Sequence, residues 1–309
     1  MFVQTVYLGR FAYMVAPLLQ AVQQGDIKAL ARSITMAENE TDGYEQFMTS
    51  LPATNKKIIG ITGAPGAGKS SLADALIAEI VAQQKTVAVI CVDPSSPFNY
   101  GALLGDRIRM TEWYNHPSVY IRSVASRGSL GGLHPKIIEI TDIVKASPYE
   151  FIIVETVGVG QSEVEIAGLA DTTVVVTVPE GGDEVQTMKA GVMEIADIFV
   201  VNKADRPGAD TFIKNLRLMI TPVFRAQKND IPVIKTIATQ KIGVKELFEQ
   251  ILVHQQLPNH EKKWQLLTEK AWQLIQQKRM KNIDKHSLRK AIEAEENFNL
   301  YLFVHDYES

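Results

Sequence analysis

The sequence predicts an α/β fold: a doubly wound, mostly parallel sheet with N-terminal helices and a C-terminal helical extension. Three observations lead there. From Lys57 onward, seven short β-branched runs alternate with amphipathic segments. Those runs are almost continuously apolar, as strands covered by helices on both faces must be. After about Gly243 the strand signal stops and helical periodicity replaces it.

In chain order, the opening "MFVQTVYLGRFAYMVAP" lacks the basic start and small-residue cleavage site of a secretory signal. It reads as an N-terminal extension over residues 1–13, with Met14 an alternative start. From about Pro17 to Asn39 the apolar spacing is helical, interrupted by the turn signal Gly25-Asp26, so a helix pair is expected there. The expected strands are "KIIGIT", "TVAVICVD", "VYIRSV", "FIIVET", "TTVVVTV", "IFVVNK" and "PVIKTIA". Three helices follow, in "GVKELFEQILVHQQ", "NHEKKWQLLTEKAWQLIQQKRM" and "SLRKAIEAEEN", with Pro258 marking a break. Trp264, Leu267, Ala271, Trp272 and Leu274 form an apolar stripe, fit either for packing on its own domain or for a dimerisation arm. The expected division is 1–55 N-terminal helices, 56–256 the sheet domain and 257–309 a helical extension.

Composition narrows the function classes. The chain has 309 residues, 46% hydrophobic and 22% charged, with a net charge of −3. That is globular composition without the basic excess of a nucleic-acid protein. The longest apolar runs are strand-sized, so no membrane span is expected. Cys91 is the one cysteine, so no internal disulfide can form and a reducing cytoplasm is the expected location. The six histidines show no pair at metal-ligand spacing.

The chemistry starts at "GITGAPGAGKSS". Gly63, four residues, then Gly68, Lys69 and Ser70 satisfy the P-loop pattern, with a strand before it and a helix after it. Along Gly63, Ala64, Pro65, Gly66, Ala67 and Gly68, backbone N–H groups can turn inward to cradle phosphate oxygens at the positive end of a helix. Lys69 is placed to reach the β- and γ-phosphates, Ser70 to complete a Mg²⁺ shell and Ser71 to close the loop near the α-phosphate.

The base is indicated by "FVVNKAD". Asp205 can accept from the N1–H and exocyclic amine of guanine, whereas adenine would leave that carboxylate desolvated and unpaired. Lys203 would lie over the base, Asn202 would tie the loops together, and the Ala238 N–H could meet the guanine O6. GTP and GDP are therefore expected over ATP. For hydrolysis, Glu155 stands at a strand tip where a carboxylate can hold Mg²⁺ through water, and the Gly158 N–H can sense the γ-phosphate. Asp93 and Asp106 are further candidate carboxylates, each also readable as a turn or helix cap. Gln161 is the nearest candidate to orient water. Two glycine-rich loops, 126–136 and 179–191, follow strands on the ligand side and suit nucleotide-dependent switches better than passive connections.

Taken in order, "GAPGAGKSS", "VAVICVDPSSP", "GALLGDRIRM", "SRGSLGG", "VETVGVGQSE", "GGDEVQTMKAG" and "VNKAD" resemble the MeaB/ArgK-type GTPases. This branch of the P-loop GTPases is related to the nickel-delivery GTPases. The resemblance runs from about Leu18 to Phe248, and "ALARSITMAEN" is similar to the family's N-terminal helical segment. "SPFNYG" departs from the family's small, threonine-rich continuation, and the C-terminal helices match weakly. The resemblance implies a homodimeric, Mg²⁺-dependent GTPase that binds an adenosylcobalamin-dependent acyl-CoA mutase, chiefly methylmalonyl-CoA mutase, and gates or protects its cofactor loading. It places the Mg²⁺ and catalytic carboxylates on Asp93, Asp106 and Glu155, switch loops on 93–109, 156–163 and 179–191, and the guanine reader on 202–205.

Two other functions compete. A metallochaperone GTPase related to the nickel-delivery proteins would want a histidine run or a Cys-x-x-Cys, and the sequence has neither. A P-loop small-molecule kinase would have no need of the "NKAD" string.

Overall fold

All seven expected strands form one parallel sheet. In the computed structural model the described residues are 15–94, 107–127, 133–157, 165–179, 194–224, 231–257, 260–295 and 298–307. The strands are β1 (Ile58–Gly63), β2 (Val87–Asp93), β3 (Val119–Ala125), β4 (Phe151–Glu155), β5 (Thr172–Thr177), β6 (Ile198–Val201) and β7 (Val233–Lys235). Their order across the sheet is β3-β2-β4-β1-β5-β6-β7, and every pairing is parallel. The chain leaves β1 toward one edge, returns to β1's side with β4, and crosses to the other edge from β5. Strand β1 therefore borders the point where the winding reverses, the place where such sheets bind ligands at their C-terminal ends.

Ahead of the sheet lie helices α1 (15–23), α2 (Ile27–Asn39) and α3 (Tyr44–Ser50). Helix α2 starts because the Asp26 carboxylate accepts the Ala29 N–H at 2.7 Å, an N-cap. It buries Ala29, Leu30, Ser33, Ile34 and Ala37, one stripe at helical spacing. Helix α3, not expected from the sequence, is a seven-residue segment that follows Gly43 and buries Phe47.

Between the strands run α4 (Lys69–Ala82), α5 (Ile137–Ala146) and α6 (Ala209–Phe224), and α7 (Val244–Gln256) follows β7. The strand period of two sorts residues between the sheet's faces. Val174 and Val176 join Ile59, Ile61, Val87, Val89 and Ile153 in a core closed by α4 and α7. Val175, Phe199 and Val201 face the other way, onto Phe212, Ile213 and Leu216 of α6.

Two compact units make up the chain, Met1–Pro258 and Asn259–Ser309. The second holds α8 (His260–Met280), α9 (Lys285–Glu293) and α10 (Leu300–Asp306). Trp264 and Trp272 of α8 are exposed in the single chain, as are Leu267 and Ile275. Among the described residues no helix is long and apolar enough to cross a membrane.

Candidate functional site

The loop between β1 and α4 is bent by its glycines. Gly63 has φ +139°, and a Cβ there would meet the Val176 carbonyl oxygen of β5 at 2.1 Å. Gly68 has φ +89°, and a Cβ there would meet Asn202 Nδ2 at 2.4 Å. Both positions combine a left-handed or extended-positive backbone with close approach, which only glycine tolerates. Lys69 is buried, and its Nζ donates to the carbonyls of Gly63 at 2.9 Å and Ala64 at 3.1 Å. The ammonium thus stands inside the loop, over the start of α4, where phosphate would lie.

At the second residue of α4, the Ser70 hydroxyl donates to Glu155 Oε1 at 2.6 Å. Glu155 ends β4 and is registered with Ile61 of β1 and Cys91 of β2. Asp93 lies two residues beyond Cys91, so the pleat puts it on the same face as Glu155. Ser70, Glu155 and Asp93 are all buried, at 7%, 5% and 1% exposure. These are hard oxygen donors, and the hydroxyl and carboxylate expected to flank Mg²⁺ already touch. Among the described residues no group of three His, Cys, Asp or Glu could hold a metal unaided. Asp106, Gly158 and Gln161 lie outside the described residues, as do most of the expected switch segments 93–109, 156–163 and 179–191.

The base-reading string follows β6. Asn202 is buried, and its Nδ2 donates to the Ala67 carbonyl at 2.9 Å. Its Oδ1 accepts from the Thr236 hydroxyl and the Ala238 N–H, each at 3.1 Å. One amide side chain therefore fastens the phosphate loop, the "NKAD" turn and the segment after β7. The Ala238 N–H, expected to meet guanine O6, is held by Asn202, so it could serve O6 only as a shared donor. Lys203 has φ 56° and donates through Nζ to the Gly66 carbonyl at 2.7 Å, a second tie to the phosphate loop. Asp205 is exposed in the turn that follows. Ser71 sits half-buried on the first turn of α4.

Sequence reasoning missed two supporting threonine contacts. Thr236 braces Asn202, and Thr62 of β1 shares a 3.0 Å hydrogen bond with Thr156, just past β4. Thr236 lies in the "KTIAT" run beside Ala238; nothing local marks Thr62 or Thr156 as partners.

The chain is similar to known proteins over most of its length. The family model for the methylmalonyl Co-A mutase-associated GTPase MeaB matches residues 30–295. A protein of Pyrococcus abyssi, named as a GTPase, is 48% identical over 79% of this chain and 76% of its own length. A fused isobutyryl-CoA mutase of Geobacillus kaustophilus is 34% identical over 74% of this chain, which spans 22% of that larger protein. Among solved structures, one titled as an LAO/AO transport system kinase aligns with TM-score 0.66 and 25% identity, covering 95% of this chain and 92% of its own.

Proposed function

The chain belongs to the methylmalonyl-CoA mutase-associated GTPase family, and from that premise we propose that it is a nucleotide switch for an adenosylcobalamin-dependent acyl-CoA mutase of the methylmalonyl-CoA type. In this reading GTP state gates or protects cofactor loading of the mutase. The observation that carries it is the likeness to a fused isobutyryl-CoA mutase, in which the GTPase-like part and the mutase share one chain. A separate GTPase with the same partner is the two-chain equivalent. We assign residues 56–256 to the GTPase domain, 1–55 to its helical lead and 257–309 to an arm that closes a homodimer in the cytoplasm. The exposed Trp264 and Trp272 support the arm, since two indoles left in water would give up their burial energy.

Within the site, the P-loop amides and Lys69 bind and orient the β- and γ-phosphates. Ser70 and Glu155, joined by their hydrogen bond, hold the metal end, with Asp93 beside them. Mg²⁺ would supply charge neutralisation of the leaving diphosphate. Water attacks the γ-phosphorus, the bond to the β-bridging oxygen breaks, and GDP and phosphate leave. Asp205 reads guanine, and Asn202 transmits its position to the phosphate loop.

The test is to mix the protein with the methylmalonyl-CoA mutase of its own cell. GTP hydrolysis and adenosylcobalamin transfer to the mutase should both change on mixing. No change in either quantity would remove the mutase from the proposal while leaving the GTPase in place.

A further inference from the structure

The C-terminal end of α2 grips the ligand-side connection between β3 and α5 at both of its described ends. On the β3 side, Arg122 Nη2 pairs with Glu38 Oε2 at 2.5 Å and also donates to the Thr35 hydroxyl at 3.1 Å. Arg127 donates through Nη1 to the Glu38 carbonyl at 2.9 Å and through Nη2 to Asn39 Oδ1 at 3.2 Å. On the α5 side, Lys136 pairs with Glu40 at 2.5 Å and with Glu139 at 3.0 Å. Tyr44, on α3, donates to the same Glu139 carboxylate at 2.9 Å. His134 is 1% exposed, and its Nδ1 accepts the Lys136 N–H at 2.9 Å, which leaves the ring proton on Nε2.

Arg127 is the joint that gives this clamp a direction. It has φ 49°, a left-handed conformation that a non-glycine residue holds only when its surroundings over-determine it. Its two guanidinium bonds to α2 are that over-determination. The residue before it, Ser126, donates its N–H to the Asp93 carbonyl at 2.9 Å, one step beyond the register pair Asp93 and Ala125. Glu38 and Asn39 therefore act on Arg127, Arg127 fixes Ser126, and Ser126 fixes the backbone that carries the Asp93 carboxylate.

We propose that Arg127 is a positioning residue for GTP turnover: held by Glu38 and Asn39, it sets the Asp93 backbone at the metal end of the site, so the N-terminal helices influence hydrolysis without touching nucleotide. The proposal rests on the reading of Asp93 as a member of the hydrolytic site. It predicts a defect in the rate of turnover and not in binding, because no clamp residue lies on the P-loop or the "NKAD" turn.

Arg127→Gly tests it while sparing the fold, since glycine adopts the positive φ at no steric cost and only the guanidinium bonds are lost. The kcat for GTP should fall about tenfold, a modest share of what an ångström of misplacement can cost. KM for GTP, GDP affinity and the thermal midpoint should stay near wild type. Arg127→Lys should recover part of kcat, because an ammonium can satisfy one of the two acceptors but not the fork. Asn39→Ala should lower kcat in the same direction by a smaller factor. Unchanged kcat in Arg127→Gly, or a kcat loss matched by an equal loss of GDP affinity, would overturn the proposal. Asp93→Asn in the same assay separates the two layers. If it hydrolyses GTP normally, the role of Asp93 fails; if it is impaired while Arg127→Gly is normal, only the positioning fails.

Discussion

The two ends of the nucleotide site are built differently. At the base end, Asn202 and Lys203 bond directly to the carbonyls of Ala67 and Gly66, so the reader and the phosphate loop are one interlocked piece. At the proposed hydrolytic end, Ser70 meets Glu155 from another element, and Asp93 arrives on β2, whose last carbonyl accepts from Ser126, the neighbour of the Arg127 that α2 holds. The base end owes its shape to contacts made inside the site. The proposed hydrolytic end has one such internal contact, Ser70 to Glu155, and is further braced by contacts made outside it. If the proposed role of Arg127 holds, substitutions at the base end should change recognition and substitutions in the clamp should change turnover.

Three substitutions probe that division. The largest effect is expected from Lys69→Ala, which removes the charge inside the loop at the point the two ends share. Nucleotide affinity or turnover should drop by about a thousandfold, on the scale of losing a main electrostatic stabiliser. Titration of GDP and a phosphate-release assay would measure it. Next comes Asp205→Asn, confined to the base end. It should shift preference from guanine to xanthine nucleotides by about ten- to a hundredfold while leaving kcat for bound nucleotide nearly intact. Competition between GTP and XTP reads this directly, and unchanged GTP affinity would remove Asp205 from the reader.

The smallest effect at neutral pH concerns the clamp. Burial, and then the charges of Arg127, Lys136 and Arg122, push the His134 ring down to about 4, so it is neutral at pH 7. The unfolded ring titrates near 6.5, so as pH falls the unfolded chain takes up the proton first. His134 thus contributes stability that is complete above about 6.5 and is lost as pH drops through the window down to 4. His134→Gln should flatten the fall of the thermal midpoint across that window and leave the midpoint's dependence above pH 7 unchanged.

The sheet and both nucleotide strings were legible because their signals are local. Strands β1, β2, β5 and β6 are buried at every residue, and burial on both faces leaves a nearly continuous run rich in β-branched residues, without polar alternation. "GAPGAGKSS" and "NKAD" carry their chemistry within a few residues. Helix α3 was not legible, since seven residues with Phe47 alone buried show no period. Nor was the α2 clamp. Arg122 and Glu38 lie 84 residues apart, and each alone reads as an ordinary charge on a solvated surface. The same holds for Asn202, whose loop-tying role was expected from its motif but whose claim on the Ala238 N–H depends on how β6 and β7 lie side by side.

The central place of β1 has a consequence during synthesis. Its neighbours are β4 and β5, and the contacts that tie it to them span 94 residues for Thr62 to Thr156 and 113 for Ile58 to Asp171. At roughly 5–20 residues per second, a ribosome needs several seconds to deliver either neighbour after β1 has emerged. Throughout that interval the apolar strand leading to the P-loop has both edges open, an invitation to pair with other nascent chains. Chaperone dependence of the newborn chain should therefore end only once β5 has cleared the exit tunnel, well before the last helices are made.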